Sequence, residues 1–390
     1  MSVQSTRKQL RKDRAAGWLL AGALPIPGIC DIIGGYGNML EGTCAHIIMD
    51  ASAIMSVLTG LPGGRMAVST WNMELRIFGS DFTYQCTLEG HSGLTRALVL
   101  APDPTREYIC LASGSSDTTV RVWDPVTGAC VRVLSDHKGY VNSVVVLPKT
   151  DPTSVWLASG SKDTTIRIWN IRGVASACVR VLAGHTDWVL ALAVLPDSKN
   201  GDDLPVRLAS SSRDTTARVW NAGTGECLHV LGGHTGTIPN LVALPDGKLA
   251  TASWDETIRV WNPVTGKCLK VLGDHKDWAN ILTAVPGISP EDPYLLASGS
   301  ADYTVRLWNF ATGTCTVMSG HTGSVLTLLV TKDRLILSGS ADGTIRVWDP
   351  TSGACLRIIS GHTGYVSAMA ELPDGRLVSC SGDKTFRVWE

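Results

Sequence analysis

The sequence predicts an all-β fold, a closed β-propeller of eight four-stranded blades. Three observations predict it. One pattern recurs seven times, its closing tryptophans spaced 40 to 51 residues apart. A stripped copy of the same pattern precedes these seven. Before that copy lies the strand-like piece that the C-terminal unit lacks.

The recurring segment is LASGSSDTTVRVWD in its first full form, residues 111–124, and it ends at Trp123, Trp169, Trp220, Trp261, Trp308, Trp348 and Trp389. Six residues before each Trp stands an Asp, from Asp117 to Asp383. Four residues earlier stands a hydroxyl: Ser113, Ser159, Ser210, Thr251, Ser298, Ser338 and Ser379. Each unit also opens near a histidine, from His91 to His362. The stripped copy, 61–78, aligns without gaps to 372–389, with Phe78 in the Trp place, Asn72 in the Asp place, Val68 in the Ser place and Ala51 in the His place.

Within a unit the pattern is four strands. The stretch after the His alternates and ends at a turn such as LPDG. LVSCS and TFRVW flank a tight turn at GDK, and a strand of the CLRII type follows another Gly-containing turn. Four short antiparallel strands per ~44 residues, rich in Val, Ile, Thr and Trp, are the mark of a propeller. The segment 43–49 matches the fourth strand of other units. It is expected to pair beside the last strand and remove both free edges. The alternative is seven blades plus an N-terminal segment, with 83–88 closing the ring. Eight is preferred because 42–80 would otherwise expose a repeat-like apolar face.

Composition narrows the function classes. The 390 residues are 44% hydrophobic and 18% charged, enough to bury a core. Net charge is -1, so no global case for nucleic acid arises. The longest uncharged N-terminal stretch, 15–30, is short of the ~20 residues of a spanning helix and holds two prolines. No membrane partner is expected. Residues 1–41, basic and then apolar, read as an extension outside the ring (an arm, or else a targeting segment), and 42–390 as the propeller.

At this point the chain resembles the WD-repeat family. The GH near each unit's start, the Asp in the turn and the W-D or W-N end carry the resemblance, over about nine-tenths of the chain. It implies that the first strand lines the central channel and the fourth lies outside, and that Trp, Ser/Thr, His and Asp hydrogen-bond in each blade. Asp136 and Asp274 depart from the pattern, standing where Gly precedes the other histidines.

Several constellations look chemical. Ser, His and Asp invite a hydrolase reading, but the same trio recurs seven times without a distinct nucleophile setting, so it reads as satisfied polar structure. The histidines lack metal-ligand spacing, and neither a metal nor a cofactor is expected. The repeated cysteines, Cys86 to Cys355, sit too far apart to bridge. They read as small buried side chains in a reducing, cytoplasmic or nuclear setting. The arginines two before each closing aromatic, Arg76 to Arg387, read as pointing between blades toward acids or carbonyls.

Function is then expected on a surface. The resemblance implies that exposed positions lie three and five after the His and one before the Asp. These include Trp71, Arg96, Tyr140, Asn142, Lys162, Trp188, Arg213, Trp254, Trp278, Asn280 and Tyr365. Trp, Tyr and Arg dominate binding energy at interfaces. The chain is therefore read as a non-enzymatic, monomeric scaffold for proteins or peptides, the cations favouring an acidic or mixed partner. The longer loops 103–108, 149–155, 197–206 and 288–294 belong to the opposite face. One special case is a cullin–RING ubiquitin ligase substrate receptor, since 157–172 resembles the W-D/N-x-R box of those proteins through Arg172.

Overall fold

A computed structural model describes residues 44–49, 55–70, 72–102, 109–148, 155–171, 178–196, 206–287, 294–310 and 312–390. The expected Trp71, Arg172 and N-terminal extension lie outside these residues, as do nearly all of the four longer loops. The described strands form eight four-stranded antiparallel sheets. Blade 1 runs Met55–Gly60, Met66–Thr70, Leu75–Phe78 and Tyr84–Leu88. Blades 2 to 7 repeat that order over 95–134, 141–182, 189–231, 240–272, 279–318 and 325–359.

Blade 8 is built differently. Val366–Glu371, Leu377–Ser381 and Thr385–Trp389 supply three strands, and Cys44–Met49 supplies the fourth. Cys44 stands opposite Trp389 and Met49 opposite Thr385, antiparallel, with a bulge between Cys44 and His46. The inner strand Met55–Gly60 packs against the inner strand Val366–Glu371, so the circle closes. The seven-blade alternative fails because Tyr84–Leu88 is the outer strand of blade 1, paired with Leu75–Phe78.

Burial follows the strand's place in the blade. Third strands such as Ile166–Asn170 alternate, with Ile166, Ile168 and Trp169 buried and Arg167 half-buried. Second strands such as Trp156–Ser161 are buried almost throughout, because neighbouring blades cover both their faces. The clusters lie between blades: Trp220 packs with Ile166 and Ile168 of the blade before it. Blade 1 replaces the polar signature by apolar packing, with Val68 and Phe78 buried against Phe386 and Val388 of blade 8. The Phe78 and Phe386 rings meet edge-on at 4.9 Å.

Inner strands are stitched to one another by side chains. Asn142 Nδ2 donates to the Val189 carbonyl at 2.9 Å, and Asn280 Nδ2 to the Val325 carbonyl at 3.3 Å. The Leu192 and Leu282 amides donate to Ser143 Oγ and Asn240 Oδ1 of the preceding blade. Asn142 and Asn280 therefore tie blades together instead of standing outward. An inner strand has an unpaired edge, and these polar side chains satisfy part of it.

Two other expectations are corrected. The repeated cysteines are free thiols that burial reaches only in part: Cys86, Cys178, Cys227 and Cys315 are half-buried against the core, whereas Cys130, Cys268 and Cys355 are exposed. Each lies at or near the start of an outer strand that has a neighbour on one side alone. The Cys130 thiol, for example, donates to the Arg132 carbonyl at 3.3 Å and accepts from Arg121 Nη1 at 3.7 Å. The arginines turn into their own blade, not toward the next. Arg121 also lies against Gly90, where φ is +146° and a Cβ would come within 2.3 Å of Nη1, so a side chain there is strained and would displace the guanidinium. Among the described residues, acids reach two of the eight arginines, Arg76 from Glu74 at 2.7 Å and Arg167 from Asp136 at 3.9 Å. Asp136, the departure from Gly, thus finds its partner.

The seam between blades 8 and 1 is testable by a double-mutant cycle on Phe78→Leu and Phe386→Leu in urea unfolding. A coupling of about 0.5–1.5 kcal/mol is expected for an edge-to-face pair. Strict additivity would mean the rings do not meet.

Candidate protein-interaction face

The first constellation to place is the Ser–His–Asp trio. In blade 2, His91 Nδ1 lies 2.7 Å from Asp117 Oδ2 and His91 Nε2 lies 2.7 Å from Ser113 Oγ, which accepts from Trp123 Nε1 at 2.7 Å. One tautomer gives every group a partner: the Trp N–H donates to Ser, the Ser O–H donates to Nε2, and Nδ1–H donates to the carboxylate. This assignment leaves no donor or acceptor idle. It recurs in every blade but the first, with Thr251 replacing Ser in blade 5. All seven hydroxyls are fully buried, so a substrate carbonyl cannot reach them. The trio is wiring, not a nucleophile.

The Asp end organises the turn. Asp117 Oδ1 accepts both the amide and the hydroxyl of Thr119, and Oδ2 also accepts the Ser92 amide. Those bonds hold the residue after the Asp in the left-handed region: Thr118, Thr164, Thr215, Glu256, Tyr303 and Lys384 all have φ between +67° and +73°. Such backbone is costly for a β-branched residue. It persists because the carboxylate over-determines it.

Burial pushes the Asp383 carboxyl up, but hydrogen bonds from Thr385, His362 and the Thr363 amide outweigh it and bring it down to about 2. Burial is likewise outweighed at Asp342, where bonds from the Thr322 amide and from Thr344 bring it to about 2. The other five are held well below the carboxylate range against the same burial. Burial also lowers His321 and His362.

Above these turns lies the candidate face. In each described turn, the amide before the Asp donates to the carbonyl three after the His: Lys162 to Tyr140, Arg213 to Trp188, Trp254 to Thr237, Gly382 to Tyr365. The turn residue and the position-three residue of one blade therefore sit side by side. Across a seam, the turn residue of one blade meets the position-three residue of the next. The expected residues consequently assemble.

Over blades 2 to 4 they interleave as a ladder. Arg96 Cζ lies 5.0 Å from the Tyr140 ring centroid, and Lys162 Nζ lies 4.7 Å from Tyr140 and 4.3 Å from Trp188. Arg213 Cζ lies 5.0 Å from Trp188. Each such contact contributes about 0.5–1 kcal/mol at an exposed site. Arg96 Nε is further fixed by Ser116 Oγ at 2.6 Å. Across blades 5 and 6, Trp254 and Trp278 stack at 4.7 Å with planes 18° apart. They remain 37% and 49% exposed. Tyr365 stands apart on blade 8, over Gly382, where a Cβ would meet its ring at 2.4 Å.

Sequence reasoning missed two supports. Asp187 and Asp277 occupy the place where other units carry Gly, and each accepts the backbone amide of the Trp that follows, at 2.7 and 2.8 Å. The repeated H-x-D-W of 185–188 and 275–278 was the available signal. Tyr303, exposed beside Asp302, was also passed over. Among the described residues no group of three or more His, Cys, Asp or Glu is placed to hold a metal ion.

Seven stretches, 82–124, 128–170, 176–221, 225–262, 266–309, 313–349 and 353–390, match the profile described as WD domain, G-beta repeat. The chain belongs to that family. Each matched WD repeat opens with the outer strand of one blade and ends with the third strand of the next, which is why seven repeats and an N-terminal copy make eight blades. WD propellers generally serve as protein-interaction scaffolds that bind other proteins or peptides. Among solved structures, that of the computationally designed Ika8 protein is similar at a TM-score of 0.69 and 27% identity, over 87% of this chain and 96% of that one. A search of curated proteins returned no match.

Acid should loosen this WD propeller. Each shifted Asp and His has a folded-state value below its unfolded one, so the unfolded chain takes up more protons and stability is lost as pH falls. His321 and His362 contribute below about pH 6.5, and the aspartates between about pH 4 and 2. Thermal melts across pH 7 to 2 are expected to decline gently and then steeply, with Asp383→Asn flattening the steep limb. A melting temperature that rises on acidification would contradict the assignment.

Proposed function

We propose that this chain is a non-enzymatic interaction scaffold whose Asp-turn face grips peptide segments or partner domains. The observation that carries this reading is the Trp254–Trp278 stack. Two large rings from adjacent blades are held in one place, by the Asp277 side chain on one side and the Trp254 turn on the other, and keep a third to a half of their surface in water. Rigid aromatic area offered at low entropic cost is what binding hot spots use. The burial of all seven hydroxyl–His–Asp sets supports a structural role for the residues that look most catalytic.

The test uses the whole chain as bait and Trp254→Ala/Trp278→Ala as its control, with captured proteins identified by mass spectrometry. The variant is expected to lose its partners, since about 2 kcal/mol or more at a hot spot is roughly thirtyfold in affinity. Its melting temperature should stay close to that of the parent. Identical capture by both would remove the reading. Unfolding of Trp254→Phe/Trp278→Phe as well would reassign the pair to the core.

A further inference from the structure

We infer that the Arg96–Tyr140–Lys162–Trp188–Arg213 ladder is a docking track for an extended peptide segment that carries Asp or Glu at about every third residue. The inference rests on the reading of this face as the binding surface, but on different residues from the Trp254–Trp278 pair.

Charge comes first. Among the described residues, no carboxylate lies within 4.0 Å of Arg96, Lys162 or Arg213, whereas Arg76, Arg167, Lys248, Lys332 and Arg376 each have one. Three cations left unneutralised in one row present a positive track. Its chemical complement is a row of anions.

Order comes second. Flexible basic side chains ordinarily lose entropy when they bind. Here each is already held against an aromatic face, and Arg96 is additionally tied to Ser116. Arg96 and Arg213 remain exposed. Preorganised, solvent-facing donors favour affinity by cutting the ordering cost.

Spacing selects the ligand. Each ring lies within 5.0 Å of both its cations, so successive cations are at most about 10 Å apart. An extended chain advances ~3.3 Å per residue, so residues i and i+3 mark the widest spacing that the track admits. Arg96 and Arg213 share no ring, so the three cations are strung along two rings instead of gathered at one. A phosphate prefers several donors gathered on a single dianion. Separated single positive charges fit separated single carboxylates.

The probe is a fluorescein-labelled peptide Glu-Gly-Ser-Glu-Gly-Ser-Glu, titrated with the full chain at low salt and followed by anisotropy. Saturable binding is expected, abolished in the Gln-Gly-Ser-Gln-Gly-Ser-Gln analogue and weakened about tenfold or more by Arg96→Gln/Lys162→Gln/Arg213→Gln. Lys162→Arg should keep it. Should the triple variant not fold, Arg213→Gln alone is expected to weaken binding about threefold. No binding of the glutamate peptide, or binding indifferent to the ladder substitutions, overturns the assignment. So does a single-phosphoserine peptide that binds more than tenfold tighter. In those cases continued partner capture through Trp254 and Trp278 leaves the scaffold reading standing, so the two failures are distinguishable.

Discussion

A blade is a four-stranded sheet with two largely apolar faces, and it can bury both only between two other blades. That requirement governs the whole molecule, because it cannot be met in a row with ends. The antiparallel pairing of Cys44–Met49 with Thr385–Trp389 meets it by joining head and tail within one sheet. Blade 1 then lies against blade 8, with Phe78 and Val68 filling the place of the missing Trp and Ser. Its polar signature is expendable because apolar packing at the seam takes over the work of alignment.

Elsewhere alignment is set by hydrogen bonds. A buried Trp N–H, a Ser hydroxyl, an imidazole and a carboxylate form a directed chain from the middle of each blade to its turn. Every group in it is satisfied, so its burial carries no open cost. The same carboxylate clamps a turn in left-handed backbone and thereby decides which side chains face outward. The candidate face is thus a consequence of the blade's internal wiring, and the neighbouring rim positions inherit their geometry from it.

Much of this was legible in the sequence. The repeat, the four-strand pattern and the exchanged strand are periodic features, and period survives without knowledge of distances. Tyr140, Lys162, Trp188, Trp254 and Trp278 were legible as outward positions through the family resemblance, and the turn that fixes their offsets from His and Asp is the physical reason it holds. What was not legible depends on the third dimension. The thiols of Cys130 and Cys355 alternate like core residues but open an edge strand, where one flank is always wet. Asn142 and Asn280 share an offset with Arg96, yet their short amides reach a neighbouring carbonyl that the long guanidinium passes over. The ladder itself needs residues from three blades at once, so no single repeat could show it.

The closed circle is tested most directly by hydrogen–deuterium exchange of the Thr385–Trp389 amides, in the full chain and in one lacking residues 1–49. Amides of this strand that face away from Leu377–Ser381 have Cys44–Met49 as their partner. They are expected to be protected in the full chain and to exchange faster by orders of magnitude in the shortened one, while the middle strands of blade 4 stay unchanged. Equal protection in both chains would mean that something other than the chain's own head seals the ring.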